Sequence, residues 1–166
     1  MSAVTLNALQ DHFAYTIWAS SRLVQAASQL SPEELSRDFG TADRGIIGTL
    51  GHIVSSDRIW LARLQRDPNP PGRREEDKTL PALQYDWPAI HERWKLWLDS
   101  LDDNAAEQVI SYADLKGNRW SEPMWQIILH VVNHGTHHRG QVSGFLRALG
   151  HTPPPLDLIA YYRSLL

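Results

Sequence analysis

Apolar residues recur along the chain at spacings of three, four and seven, the period of a helix with one buried face. The first such stretch runs from about Ala3 to Gln29, with Leu6, Leu9, Phe13, Ile17, Val24 and Ala27 on one stripe. "LSPEEL" then reads as a fresh, short helix. Ser31 suits the N-cap, Pro32 the first helical position, and Glu34 completes a capping box. A second long stretch spans about Ile46 to Gln65, with Ile46, Leu50, Ile53, Val54, Ile59, Trp60 and Leu64 as its stripe. A third spans about Trp87 to Leu101 and presents Ile90, Trp94, Trp97, Leu98 and Leu101, with Asp86 placed to cap it and Pro88 in its first turn. A fourth runs from about Pro123 to Leu149, with Ser121 and Glu122 just ahead and Gly150 where a C′ glycine belongs.

The segments between these stretches break the period. "RDPNPPGRREEDKTLP" is rich in proline and mixed charge and predicts a surface loop. It is not a domain linker, because too little chain lies on either side to build two cores. Val109–Tyr112 and Arg119-Trp120 can pair as a small hairpin around Lys116-Gly117-Asn118. The tail "HTPPPLDLIAYYRSLL" predicts an extended proline segment and a short helix packing back. Four long helices with short extra ones and an irregular hairpin between the third and fourth predict an all-α four-helix bundle, a single domain over residues 1–166.

Composition narrows the function classes. A net charge of −3, with no long run of like charge, offers no basic face for nucleic acid. No apolar run approaches the ~20 residues a membrane span needs. The first residues lack a signal peptide's basic start and apolar core, so a cytoplasmic location is the expectation. The chain has no cysteine, which excludes disulfides, thiolate metal ligands and cysteine nucleophiles. Any thiol chemistry here needs a thiol from a partner molecule. Seven tryptophans predict mainly core and contact roles, with Trp60, Trp120 and Trp125 as the ones able to line a pocket.

The chemistry concentrates in "HVVNHGTHHRGQ", His130 to Gln141. At 100° per residue, His130, His134, His137, His138 and Gln141 fall within roughly a 100° arc of the fourth helix. His134 and His138, four apart, can converge on one metal ion from a single helix. A third ligand has to come from another helix. His52 is the first choice, mid-helix between Leu50 and Ile53, and His12 the second; His91 and His151 are weaker. His130 reads as core or support, and His137 as rim or subunit contact. Asp57 reads as a carboxylate ligand, an acceptor for an imidazole N–H, or a surface ion-pair partner. Arg139 reads as a solvated side chain or as an anion clamp over the site. Three histidines leave a coordination position open, the pattern of a catalytic zinc site.

The stretches "GHIVSSDRIWL", "LHVVNHGTHHRGQV" and "LRALGHTPPPLDLIAYY" resemble the DinB / YfiT-like family of metal-dependent hydrolases and thiol-dependent transferases, over almost the whole chain. The resemblance implies a four-helix bundle holding a divalent metal, zinc or nickel, on His52, His134 and His138. It implies water or substrate in the open position, and homodimers. It also implies use of a low-molecular-weight thiol, in the manner of bacillithiol transferases and maleylpyruvate isomerase. Three function classes follow from the sequence: a thiol-dependent transferase or isomerase, a hydrolase acting through metal-bound water, and a non-catalytic metal or small-molecule binding module.

Overall fold

The computed structural model describes residues 4–102 and 104–166. Four long helices make the body: α1 (Leu6–Ala27), α3 (Ile46–Leu64), α4 (Trp87–Asp99) and α5 (Met124–Ala148). Two short helices, α2 (Pro32–Ser36) and α6 (Leu158–Arg163), and an antiparallel hairpin, β1 (Val109–Ala113) with β2 (Arg119–Pro123), complete it. Helix α5 packs against α3 on one side and α1 on the other, and α4 closes the ring by touching both α1 and α3. The expected all-α four-helix bundle is the observed fold, with the hairpin its only sheet among the described residues. No described helix is long and apolar enough to cross a membrane.

Local chemistry sets most boundaries. Thr5 caps α1, its Oγ1 accepting from the Ala8 N–H at 3.2 Å; the expected start at Ala3 lies outside the described residues. Ser31 and Glu34 form the reciprocal capping box of α2. Gly150 takes φ +88° after α5. Its N–H and that of His151 return to the carbonyls of Arg147 and Leu146, a Schellman ending that satisfies two otherwise orphaned acceptors. One expected cap is not used. Asp86 makes no capping bond, because a π-turn over Ala82–Asp86 feeds α4 already wound. Ser121 and Glu122 stay in β2, which runs straight into α5, and the Met124 N–H is satisfied by the Gln108 carbonyl at 2.9 Å.

The core is centred on Leu9, Phe13, Leu50, Ile53, Trp94 and Val142, all buried. Phe13 stacks on Trp94 with ring centroids 4.5 Å apart. Each such side chain contributes about 1.5–3 kcal/mol through burial. The α1 stripe departs from the expected one. Ile17 and Val24 are only half-buried, whereas Thr16 and Ser20 are fully buried. The reason lies on α5: buried Arg139 donates from Nη1 to Ser20 Oγ at 3.4 Å. A larger apolar residue at position 20 would compete with the guanidinium for space. At the other end the proline segment packs back as expected, with the Tyr15 hydroxyl donating to the Leu156 carbonyl at 2.8 Å.

The expected surface loop is not wholly on the surface. Within it a 3-10 turn, Glu75–Lys78, carries a fully buried carboxylate, Asp77. Asp77 accepts from Ser55 Oγ at 2.7 Å, Arg58 Nη1 at 2.8 Å and Arg74 Nη2 at 3.0 Å. Gly51 makes the approach possible, since a Cβ there would lie 2.8 Å from the Asp77 carbonyl oxygen. Burial alone would raise the Asp77 pKa, but the hydrogen bonds from Arg58, Ser55 and Arg74 outweigh it and hold the carboxyl well below the usual range. The folded pKa is depressed, so the stabilisation is complete above the unfolded value near ~4 and disappears as pH falls through the folded value. Asp77→Asn leaves Arg58 buried without its counter-charge and is expected to cost about 3–5 kcal/mol at pH 7. Urea unfolding at pH 7 and pH 3 checks this: the gap between wild type and variant should shrink at the lower pH.

Candidate metal centre

The α3–α5 packing brings one face of each helix together near the middle of the bundle. His52 from α3 meets His134 and His138 from α5. Their candidate ligand nitrogens lie within 4.8 Å of one another, and each side chain is half-buried. His52 Nε2 and His134 Nε2 face each other at 2.9 Å. The His138 ring centroid is 4.5 Å from both neighbours. Nitrogens bonded to one ion at ~2.1 Å need nearly this spacing.

The surroundings suit neutral donors. Burial pushes the His52 pKa down, with His138 and Arg73 adding to the effect and Asp43 opposing it. His134 is pulled to about 3, first by burial and then by the imidazoles of His138, His52, His130 and His137. A neutral imidazole offers a lone pair, which is what a divalent metal takes. The far side of each ring matters as well. His138 Nδ1 donates to Gln141 Oε1 at 2.7 Å, which leaves Nε2 as the lone-pair atom. His52 Nδ1 is buried without a hydrogen-bond partner, and Asp43 Oδ2 lies 4.0 Å away. Two Nε2 atoms aimed at each other and a third imidazole fixed in tautomer are a donor set that fits a divalent metal ion.

The other sequence candidates lie elsewhere. His12 Nδ1 donates to the Ala8 carbonyl at 2.8 Å and lines a separate cavity of about 800 Å³ between α1, α5 and the proline tail. His151 Nε2 bonds Glu34 Oε1 at 2.8 Å, holding α2 to the end of α5. His91 is buried on α4 and bonds Asp57 Oδ2 at 3.2 Å. Asp57 is fully buried, accepts from Trp87 Nε1 at 2.7 Å, and does not join the triad. Five residues separate it from His52, which turns it ~140° around the helix. It is therefore neither a surface residue nor a support of the three histidines. Arg139, next to His138, is rotated toward α1. Its guanidinium bonds Thr136 Oγ1 at 2.9 Å and lies over the Tyr15 ring, so it is neither solvated nor above the triad. His130 packs edge-on to Trp60 at 5.2 Å, and His137 edge-on to His138 at 4.9 Å.

His52 and His134 open on a cavity of about 150 Å³, whose other walls are Ser56, Ile59, Trp60, Arg63, Arg73 and Leu115. Of these, only Trp60 stood out in the sequence as a pocket residue. The α3 members did leave a signal: Ser56, Ile59, Trp60 and Arg63 follow His52 by four, seven, eight and eleven residues, which is one helical face. Arg73 and Leu115 come from loops distant in sequence and left none.

Three comparisons bear on this geometry. The chain is 21% identical over 157 residues to Protein DinB of Bacillus subtilis (strain 168), covering 90% of each. Its fold is similar to the crystal structure of a DinB-like protein from Bacillus cereus ATCC 10987, with a TM-score of 0.65 at 17% identity, covering 91% of this chain and 97% of the other. The profile of the DinB family matches residues 1–164. A bundle of this topology, three histidines on two of its helices and a match along nearly the whole chain agree: the protein belongs to the DinB family.

Proposed function

We propose that the protein is a divalent-metal enzyme that joins a low-molecular-weight thiol to an electrophile. The observation that carries this reading is the convergence of His52, His134 and His138 beside a small cavity onto which two of the three rings open. A closed structural site would leave no room for a substrate. Zinc or nickel suits three neutral imidazoles. When bound, the ion supplies a Lewis-acid position that favours thiolate over thiol. The thiol has to come from a cosubstrate, since the chain has no cysteine. The resemblance of the histidine stretches to thiol-dependent transferases supports the same choice.

The chain's own residues supply orientation and exclusion of water. Gln141 fixes the tautomer of His138. Trp60 and Ile59 give the cavity an apolar wall against which a nucleophile is less hydrated. The bundle holds the three rings on rigid helices, so little ordering is left for binding. A homodimer completes the proposed state.

Metal analysis tests the site. Wild type is expected to retain about one zinc or nickel per chain, and His52→Ala and His138→Ala to lose it while keeping their helical circular dichroism. Full metal in both variants would exclude the triad. Gln141→Leu should keep all three ligands yet weaken affinity about 10–100-fold, read by competition with a chelator. Chemistry is tested with monochlorobimane and a panel of low-molecular-weight thiols. Metal-dependent conjugation with one thiol is expected, and ester or amide cleavage without any thiol would replace transfer by hydrolysis.

A further inference from the structure

We propose that Arg63 makes the cavity beside the three histidines a carboxylate-binding subsite, so that the substrate of the centre is a small molecule bearing a carboxylate. The inference deepens the reading above and rests on it for the word substrate; the subsite itself rests on Arg63 and the cavity walls, without the metal.

Arg63 stands eleven residues after His52 on the same face of α3, and helical side chains lean toward the N-terminus, which directs it back along the cavity toward His52. It is 7% exposed, and its Nε has no hydrogen-bond partner. Its guanidinium lies over the rings of Trp60 and Tyr112, at 4.7 and 5.0 Å from their centroids. Ring contact stabilises the cation but leaves the donors at its edge unused. Among the described residues no carboxylate comes within 4.0 Å of it. Asp114, the nearest in influence, is committed to its own turn through Lys116, Asn118 and Trp120.

The contrast with Arg58, five residues earlier on the same helix, is informative. Arg58 is buried to a similar degree and forms a two-pronged ion pair with Asp77. A buried charge is ordinarily paired in this way. Arg63 alone of the two keeps its fork free, and it lines the same cavity as His52 and His134. The partner it lacks is an anion that arrives from solution.

Shape and charge select a carboxylate. The guanidinium fork matches two carboxylate oxygens. The cavity of about 150 Å³ is the size that takes a benzene-like molecule. Its apolar walls, Ile59, Trp60 and Leu115, suit the body of an organic acid and disfavour a heavily hydrated phosphate dianion. Arg73 at the rim is 56% exposed and already lies 3.9 Å from Asp43, so it steers an anion without supplying the buried pair.

Benzoate is a suitable probe, followed by calorimetry and tryptophan fluorescence on the full chain, with and without zinc. Saturable binding is expected for wild type, with affinity about 30-fold or more weaker in Arg63→Gln and partly recovered in Arg63→Lys. Inorganic phosphate should not displace it. Equal benzoate affinity in wild type and Arg63→Gln, no binding at all, or displacement by phosphate would overturn the proposal. Leu115→Trp, on the exposed hairpin turn, narrows the cavity and should also weaken binding; it decides the matter if Arg63→Gln does not fold. Zinc content is measured on the same samples. Zinc bound without benzoate sinks the subsite alone. Arg63-dependent benzoate binding without zinc leaves the subsite standing and sinks the metal-enzyme reading.

Discussion

The contact between α3 and α5 is the constraint on which the rest of the molecule depends. His134 and His138 are related by the geometry of one helix, but His52 reaches them only if α3 docks on α5 at one register and one rotation. A slip of one residue would turn His52 by ~100° and remove it from the cluster. The docking is held by apolar packing, with Leu50, Ile53 and Val54 on α3 buried against the same core as Val131, Val142 and Leu146 on α5. The position of α3 is also fixed by polar bonds to its other neighbours, which apolar packing alone would not specify. Asp57 ties α3 to α4 through Trp87 and His91, its carbonyl accepts from Trp94 Nε1 at 2.8 Å, and Asp77 clamps the long loop onto the outer face of α3.

These polar bonds explain how the core stands so many buried heteroatoms. The tryptophans of α4 could have formed a purely apolar seam. Instead Trp87 and Trp94 each aim an indole N–H at Asp57, so their large rings are buried without an unsatisfied donor. Arg139 is the counterpart between α5 and α1. It takes hydroxyls from Thr136 and Ser20 and a ring face from Tyr15, and the Asp57 carboxylate acts on it as a compensating charge. Buried polar groups of this kind add less to stability than to uniqueness: they are satisfied in one register only.

The same distinction explains what could be read from the sequence. Much of what is expressed within one helix was legible. The four long helices, the capping box at Ser31, the glycine ending at Gly150 and the histidine pair at 134 and 138 are all short-range patterns. His52 was legible for a different reason, because a histidine between Leu50 and Ile53 interrupts an apolar stripe and needs an explanation. Asp57 and Arg139 were noticed but placed wrongly. Their sequence neighbours were histidines of the site, whereas the helical angle points Asp57 toward α4 and Arg139 toward α1. Asp77 was invisible, since a carboxylate in a proline-rich charged loop looks solvated until Gly51 and Arg58, some twenty residues earlier, are seen to receive it. Asp86 misled because capping propensity describes an isolated helix start, and here a π-turn leads straight into the helix.

Charge compensation differs among the buried arginines of the bundle. Arg58 is neutralised by Asp77 inside the fold. Arg139 is enclosed by hydroxyls, with Tyr15 and Asp57 in its field. Neither lines the cavity at the histidines. Arg63 is buried, shares with Arg139 an Nε without a hydrogen-bond partner, and differs from both in lining that cavity. The three imidazoles at the other end are half-buried electron-pair donors whose candidate ligand nitrogens lie within 4.8 Å of one another. A cavity that presents a spare cation at one end and spare lone pairs at the other is matched by a ligand set of opposite order, a metal at the histidines and an anionic group at Arg63. That polarity, more than the histidine count, is what sets the cavity apart from the larger and more open clefts between α1 and its neighbours.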